Sequence, residues 1–134
     1  MGAITYREGG AIPDKQLAEL AAALRVPAAA IPHPAQLLAA AGVVSAWDGA
    51  RLVGLARLVG DLQTLAVLLP VGVDPAYRHH GIGHALVGRA LARCGATPVL
   101  VLLAHPEEAA FYAPFGFSQP VQALLRPAPP APAG

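Results

Sequence analysis

The residues best placed to do chemistry lie between Val71 and Cys94, in the stretch VGVDPAYRHHGIGHALVGRALARC. Arg78, His79, His80, Gly81, Ile82 and Gly83 form a tight loop between a short valine-rich strand and a run with apolar or small residues at Gly83, Leu86, Val87, Ala90, Leu91 and Cys94. That spacing marks one buried face of a helix. A strand that enters a helix through a glycine loop leaves the first-turn N–H groups without intrahelical partners, pointing outward beside the positive end of the helix dipole. Phosphate is the usual occupant of such a site. A Walker loop needs Gly-Lys-Ser/Thr, which the chain lacks, and a Rossmann fingerprint needs a glycine where Leu86 stands. His80 and His84 are four apart, but no third ligand matches them, so no metal is expected. Cys94 lies on the buried helical stripe, away from any helix start that would favour a thiolate, and reads as packing.

The remaining pattern, Arg78-x-x-Gly81-x-Gly83 after a Val-x-Val strand end and Asp74-Pro75, resembles the acyl-CoA loop of the GNAT superfamily of N-acyltransferases. A second stretch, Phe111-Tyr112-Ala113-Pro114-Phe115-Gly116-Phe117, is similar to that family's Phe-Tyr-x-x-x-Gly-Phe segment. Upstream, Trp47 to Arg57 resembles the hairpin of small bacterial-type members, so the likeness runs from Val43 to Phe117. It implies an α/β (α+β) fold with a mixed, mostly antiparallel central sheet that splays at a parallel strand pair, and helices on both faces.

The same resemblance implies a site. The loop of Arg78, His79, His80, Gly81, Ile82, Gly83 and His84 would hold the diphosphate of acetyl-CoA, chiefly through main-chain amides. Main chain near Val71 and Val73 would pair with the pantetheine arm and polarise the thioester carbonyl. Tyr112 would be the general acid for the leaving thiolate, since an ordinary tyrosine pKa of about 10 keeps it protonated at neutral pH. His105 stands seven residues before that tyrosine, where the family often has asparagine or aspartate. It would replace their hydrogen bond, act as a base, or simply cap the helix that follows. Many members carry a glutamate on the strand before the loop, at places matching Leu69 or Pro70, and neither residue can take a proton. The base is then Asp61, His105, a more distant carboxylate through water, or bulk solvent. The implied activity is N-acetyl transfer from acetyl-CoA to a primary amine of a small molecule or peptide by direct attack. The missing glutamate keeps a second expectation open, a non-catalytic acyl-CoA-binding module that regulates a partner.

The elements that must position these residues are legible in order. Ala3 to Arg7 suits a first strand, and Leu17, Leu20, Ala21 and Leu24 make one face of a helix that opens at Pro13-Asp14 and stops before Pro27. Pro27, Pro32 and Pro34 make a stiff connector to a short helix at 35–41, a region that in the family shapes the acceptor pocket. Val43 to Trp47 and Arg51 to Gly60 flank Asp48-Gly49, a hairpin signal. Leu62 to Val73 is nearly all apolar, as in a strand covered on both faces, and Pro70 demands a bulge or a gap in pairing there. Pro98 to Ala104 makes a further strand, parallel to it because a helix connects the two. Pro106-Glu107-Glu108 opens a helix that Pro114 limits, and Val121 to Leu125 would close the sheet.

The 134 residues make one domain by size, residues 1–126, followed by a Pro/Ala-rich disordered tail at 127–134. Charged residues are 13% and hydrophobic ones 55%, an apolar balance that a homodimer contact or a greasy pocket would absorb. A net charge of +1 without a basic cluster argues against nucleic acid. There is no apolar leader region and no apolar run of membrane-spanning length, so neither secretion nor a membrane is expected. With a single cysteine the chain can form no internal disulfide, and a cytoplasmic location is the default.

Overall fold

The computed structural model describes residues 2–26, 33–34, 36, 40–104, 106–118, 124 and 126. Among these residues one five-stranded sheet carries the fold, with strands in spatial order β1 (Ile4–Glu8), β2 (Gly42–Asp48), β3 (Arg51–Gly60), β4 (Leu65–Val73) and β5 (Val99–Leu102). The first four pair antiparallel, and β4 and β5 pair parallel. Helix α1 (Asp14–Leu24) follows β1, α2 (Ile82–Cys94) joins β4 to β5, and the short α3 (Ala109–Tyr112) follows β5.

The helices cover opposite faces, which explains why the central strands are apolar almost throughout. Along β2 and β3, Val43, Trp47, Leu52 and Leu55 pack with Leu17 and Leu20 of α1. Their neighbours Val44, Ala46, Val53, Ala56 and Leu58 pack with Ile82, Leu86, Val87, Ala90 and Cys94 of α2. The period-two alternation thus feeds two cores. Burial of each large side chain, such as Leu20 or Leu86, contributes roughly 1.5–3 kcal/mol. Small residues let α2 approach the sheet closely: a Cβ on Gly54 would lie 2.9 Å from Leu86 Cδ1.

The expected elements occur with shifted ends. Pro13 caps α1 instead of opening it, and Arg25, in the left-handed region at φ 57°, ends it two residues before Pro27. Strand β4 begins at Leu65, because Leu62 is left-handed (φ 59°) and Asp61 ties the turn by accepting from the amides of Gln63, Thr64 and Leu65. Around α3 the α-helical part is a single turn flanked by 3₁₀ turns at Pro106–Glu108 and Ala113–Phe115. The α-helix ends at Tyr112, two residues before Pro114, as that proline leads one to expect, and the chain continues into the second 3₁₀ turn, where the missing N–H matters little. The short helix expected at 35–41, the closing strand at 121–125 and the tail at 127–134 lie wholly or largely outside the described residues, and so does His105.

Candidate active site

The site is built around a gap between β4 and β5. Their parallel register runs from Leu65 opposite Val99 to Leu68 opposite Leu102, and closes with the Leu103 amide donating to the Leu68 carbonyl at 3.3 Å. Beyond this point β4 continues to Val73 without β5 beside it. Pro70 marks the place, as its sequence position requires. The pairing of β3 with β4 slips there, from Ala56 opposite Pro70 to Leu55 opposite Gly72, leaving Val71 as the extra residue of a bulge. Period-two alternation is broken as a result. Val71 packs on the α1 side and Val73 on the α2 side. Gly72, at φ 147°, lies close on Leu24 of α1, whose side-chain atoms would sit 3.0 Å from an added Cβ. The Asp74 amide donates to the Val53 carbonyl at 2.8 Å, so on the alternating strand the Val73 amide turns away from β3, to an edge that no other described strand pairs with.

Past β4 the chain makes a 3₁₀ turn at Pro75–Tyr77 and reaches the glycine loop. Arg78, His79 and His80 are exposed, with His79 left-handed at φ 66°. Gly81 caps α2 at φ 78°, a conformation that glycine adopts without strain. The Ala85 amide makes the bond back to the Gly81 carbonyl at 3.0 Å, so the amides of Ile82, Gly83 and His84 precede the first intrahelical bond of this kind. No side chain caps this end and no acid stands in its first turn, leaving the positive dipole end uncompensated from within the helix. The Ile82 side chain, 2% exposed, anchors the turn in the core. Donors and anchor therefore come from the same turn.

Helix α3 completes the site from the other side. A Cβ on Gly83 would lie 3.3 Å from the Phe111 ring and 3.8 Å from a Val73 methyl, so the start of α2, the end of β4 and α3 meet at this glycine. The next residue, Tyr112, is 4% exposed, with Phe111 and Phe117 edge-on at 4.8 and 6.3 Å between ring centroids. Burial, and secondarily the charge of Glu108, push its phenol up to about 12. His84 stacks at 4.6 Å on Phe115.

The structure therefore brings together Val73, the loop from Arg78 to His84, and the segment carrying Tyr112. It takes Asp61 out of contention as a base. Its carboxylate accepts from three amides and the Thr64 hydroxyl, which hold it well below the usual carboxylate range. Among the described residues no group of three His, Cys, Asp or Glu side chains could hold a metal ion. Burial raises the Cys94 thiol, in keeping with packing. The sequence reading missed the Phe111–Gly83 contact, although a glycine at a buried-face position of a helix is itself a sign of close approach.

Residues 39–119 match the family model of the acetyltransferase (GNAT) domain. The chain belongs to the GNAT acetyltransferases. Among solved structures, a GNAT-family acetyltransferase from Streptococcus pneumoniae superposes with a TM-score of 0.80 at 22% identity, covering 94% of this chain and 98% of the other. A ribosomal-protein-alanine N-acetyltransferase from Brucella melitensis gives 0.67 at 20% identity, covering 95% and 100%. An aminoglycoside acetyltransferase from an uncultured soil metagenomic sample gives 0.68 at 15%, covering 96% and 100%. No curated protein sequence matches the chain. At these identities the structural matches establish the GNAT fold, and the fold alone is compatible with very different acceptors.

Proposed function

We propose that this GNAT domain transfers the acetyl group of acetyl-CoA to a primary amine of a small molecule or peptide by direct attack. The observation that carries this reading is the uncapped, acid-free start of α2 facing solvent next to the open half of β4, with Tyr112 on the element packed against both. A diphosphate needs several fixed N–H donors and no competing carboxylate, and an extended thioester arm needs a strand edge to pair with. These residues fit both needs.

Bound there, acetyl-CoA supplies the activated acyl group. The amides from Arg78 to His84 grip its diphosphate, and Arg78 adds charge. Main chain from Val71 to Val73 aligns the arm and donates to the thioester carbonyl, where negative charge develops on attack. The Tyr112 hydroxyl holds the proton destined for the departing thiolate; its raised pKa keeps that proton in place at every working pH. With Leu69 and Pro70 inert and Asp61 tied into its turn, deprotonation of the incoming ammonium falls to His105, to a more distant carboxylate through water, or to solvent.

The test is thiol release from acetyl-CoA with a panel of amines. Turnover that falls at least tenfold in Tyr112→Phe supports the enzyme. Saturable acetyl-CoA binding without turnover on any amine supports instead the acyl-CoA-binding module, the reading favoured by the absence of a carboxylate at Leu69 and Pro70.

A further inference from the structure

The diphosphate loop does not leave β4 freely. At its start Asp74, 3% exposed, uses every polar atom it has: its amide donates to the Val53 carbonyl at 2.8 Å, its carbonyl accepts from the Tyr77 amide at 2.8 Å, Oδ1 accepts from the Ala76 amide at 2.9 Å, and Oδ2 accepts from Arg51 Nη2 at 2.7 Å. At the far end of the same turn, the Tyr77 hydroxyl donates to Asp48 Oδ2 at 2.6 Å. Asp48 and Arg51 face each other across the β2–β3 hairpin, the first ending β2 and the second starting β3. One tight turn thus sends out a carboxylate and a guanidinium, and the Pro75–Tyr77 turn answers with a phenol and a carboxylate. The Arg51 guanidinium also lies over the Tyr77 ring, 5.5 Å from its centroid.

The next residues after this double tie are Arg78 to Gly81. Asp74 therefore separates the strand edge proposed to hold the thioester arm from the loop proposed to hold the diphosphate, and the ties fix both ends of that spacer. We propose that the Asp48–Arg51 hairpin is a positioning clamp, tuning recognition of the cosubstrate's diphosphate end by holding the Asp74–Tyr77 spacer at a set distance and tilt. This rests on the acetyl-CoA reading above. Neither Asp48 nor Arg51 touches the reacting atoms; they act through the backbone of the loop.

A positioning role differs from a merely structural one in which donor it affects. Acetyl-CoA spans both the arm site and the diphosphate site, whereas S-acetylpantetheine occupies only the arm site. In Tyr77→Phe and in Arg51→Met the KM for acetyl-CoA is expected to rise about tenfold, with kcat changed less than twofold and kcat/KM for S-acetylpantetheine unchanged. Asp48→Asn, which keeps an acceptor for the phenol, should recover most of the wild-type KM, and the two hairpin arms should prove non-additive when Tyr77→Phe and Arg51→Met are combined. Equal losses with both donors, or an unaltered KM for acetyl-CoA in folded Tyr77→Phe, overturn the clamp. If Arg51→Met proves unstable, Arg51→Lys and Tyr77→Phe carry the same comparison. Calorimetry of the wild type with CoA separates the two levels: no binding there defeats the acetyl-CoA reading itself, whereas binding with donor-independent variants defeats the clamp alone.

Discussion

On the proposed function Tyr112 is the residue on which the chemistry turns, and its environment makes specific demands. Packed between Phe111 and Phe117 and pushed up to about 12, it stays protonated well beyond neutrality. The rate at saturating donor should therefore rise with pH as the acceptor amine loses its proton, and show no falling limb from this tyrosine below about pH 10. A pH–rate profile from 6 to 10 checks this; a decline centred near pH 8 or 9 would assign the acid elsewhere. The raised phenol also has a stability consequence. Its contribution is complete below the unfolded value of about 10 and is lost as pH rises through the folded value, so denaturant midpoints should drop on going from pH 9.5 to 12. The fall should be smaller in Tyr112→Phe. Cys94 contributes nothing to the reaction on this view, because it sits 6% exposed in the last turn of α2, on its buried face, with its thiol donating to the Ala90 carbonyl at 3.5 Å. Cys94→Ala should keep turnover within twofold and lose about 1 kcal/mol of stability.

At the scale of elements, the positions without side chains decide how the parts meet. Gly83 sits under the Phe111 ring, so Gly83→Leu should push α3 off the start of α2. Because that displaces Tyr112 along with Phe111, kcat should fall more than acetyl-CoA affinity, a split that steady-state kinetics and calorimetry together would show. Gly72 is different. Its φ of 147° and the Leu24 methyl close above it make Gly72→Val a double strain, of backbone and of the α1 contact, with an expected loss of about 2–3 kcal/mol in chemical denaturation. A wild-type midpoint in that variant would mean the bulge is not held as described.

For the molecule as a whole, what could be read in the sequence followed from how local each feature is. The glycine loop, the buried stripe of α2 and the Phe-Tyr segment are each set by residues within a turn or two of one another, and they lie where expected. Pro70 announced a fault in pairing, but only the register with β3 shows that Val71 is the residue left over and that Val71 and Val73 fall on opposite faces. The hairpin ties to Asp74 and Tyr77 join residues 23 and 29 positions apart, separations that no periodicity reports. Pro114 bounds the α-helix as expected, at Tyr112, but the 3₁₀ turns on either side of that helix have no periodic signal of their own. Two cores on one sheet take up much of the apolar side-chain content of the described residues, among which Val26, Leu65, Val99, Leu103, Phe111 and Leu124 remain exposed. No helix among the described residues is long and apolar enough to cross a membrane.

The central claim is that the backbone around Gly81 and the open edge of β4 together receive acetyl-CoA. Isothermal titration of the wild type with CoA, repeated on Gly81→Pro after circular dichroism has shown the fold intact, tests it most directly. Proline cannot take up the φ of 78° found at Gly81, so the loop amides must re-aim. Saturable one-to-one binding in the wild type, weakened at least tenfold in the variant, is the expected result. A wild type that gives no heat, or a folded Gly81→Pro that binds as tightly as its parent, would contradict it.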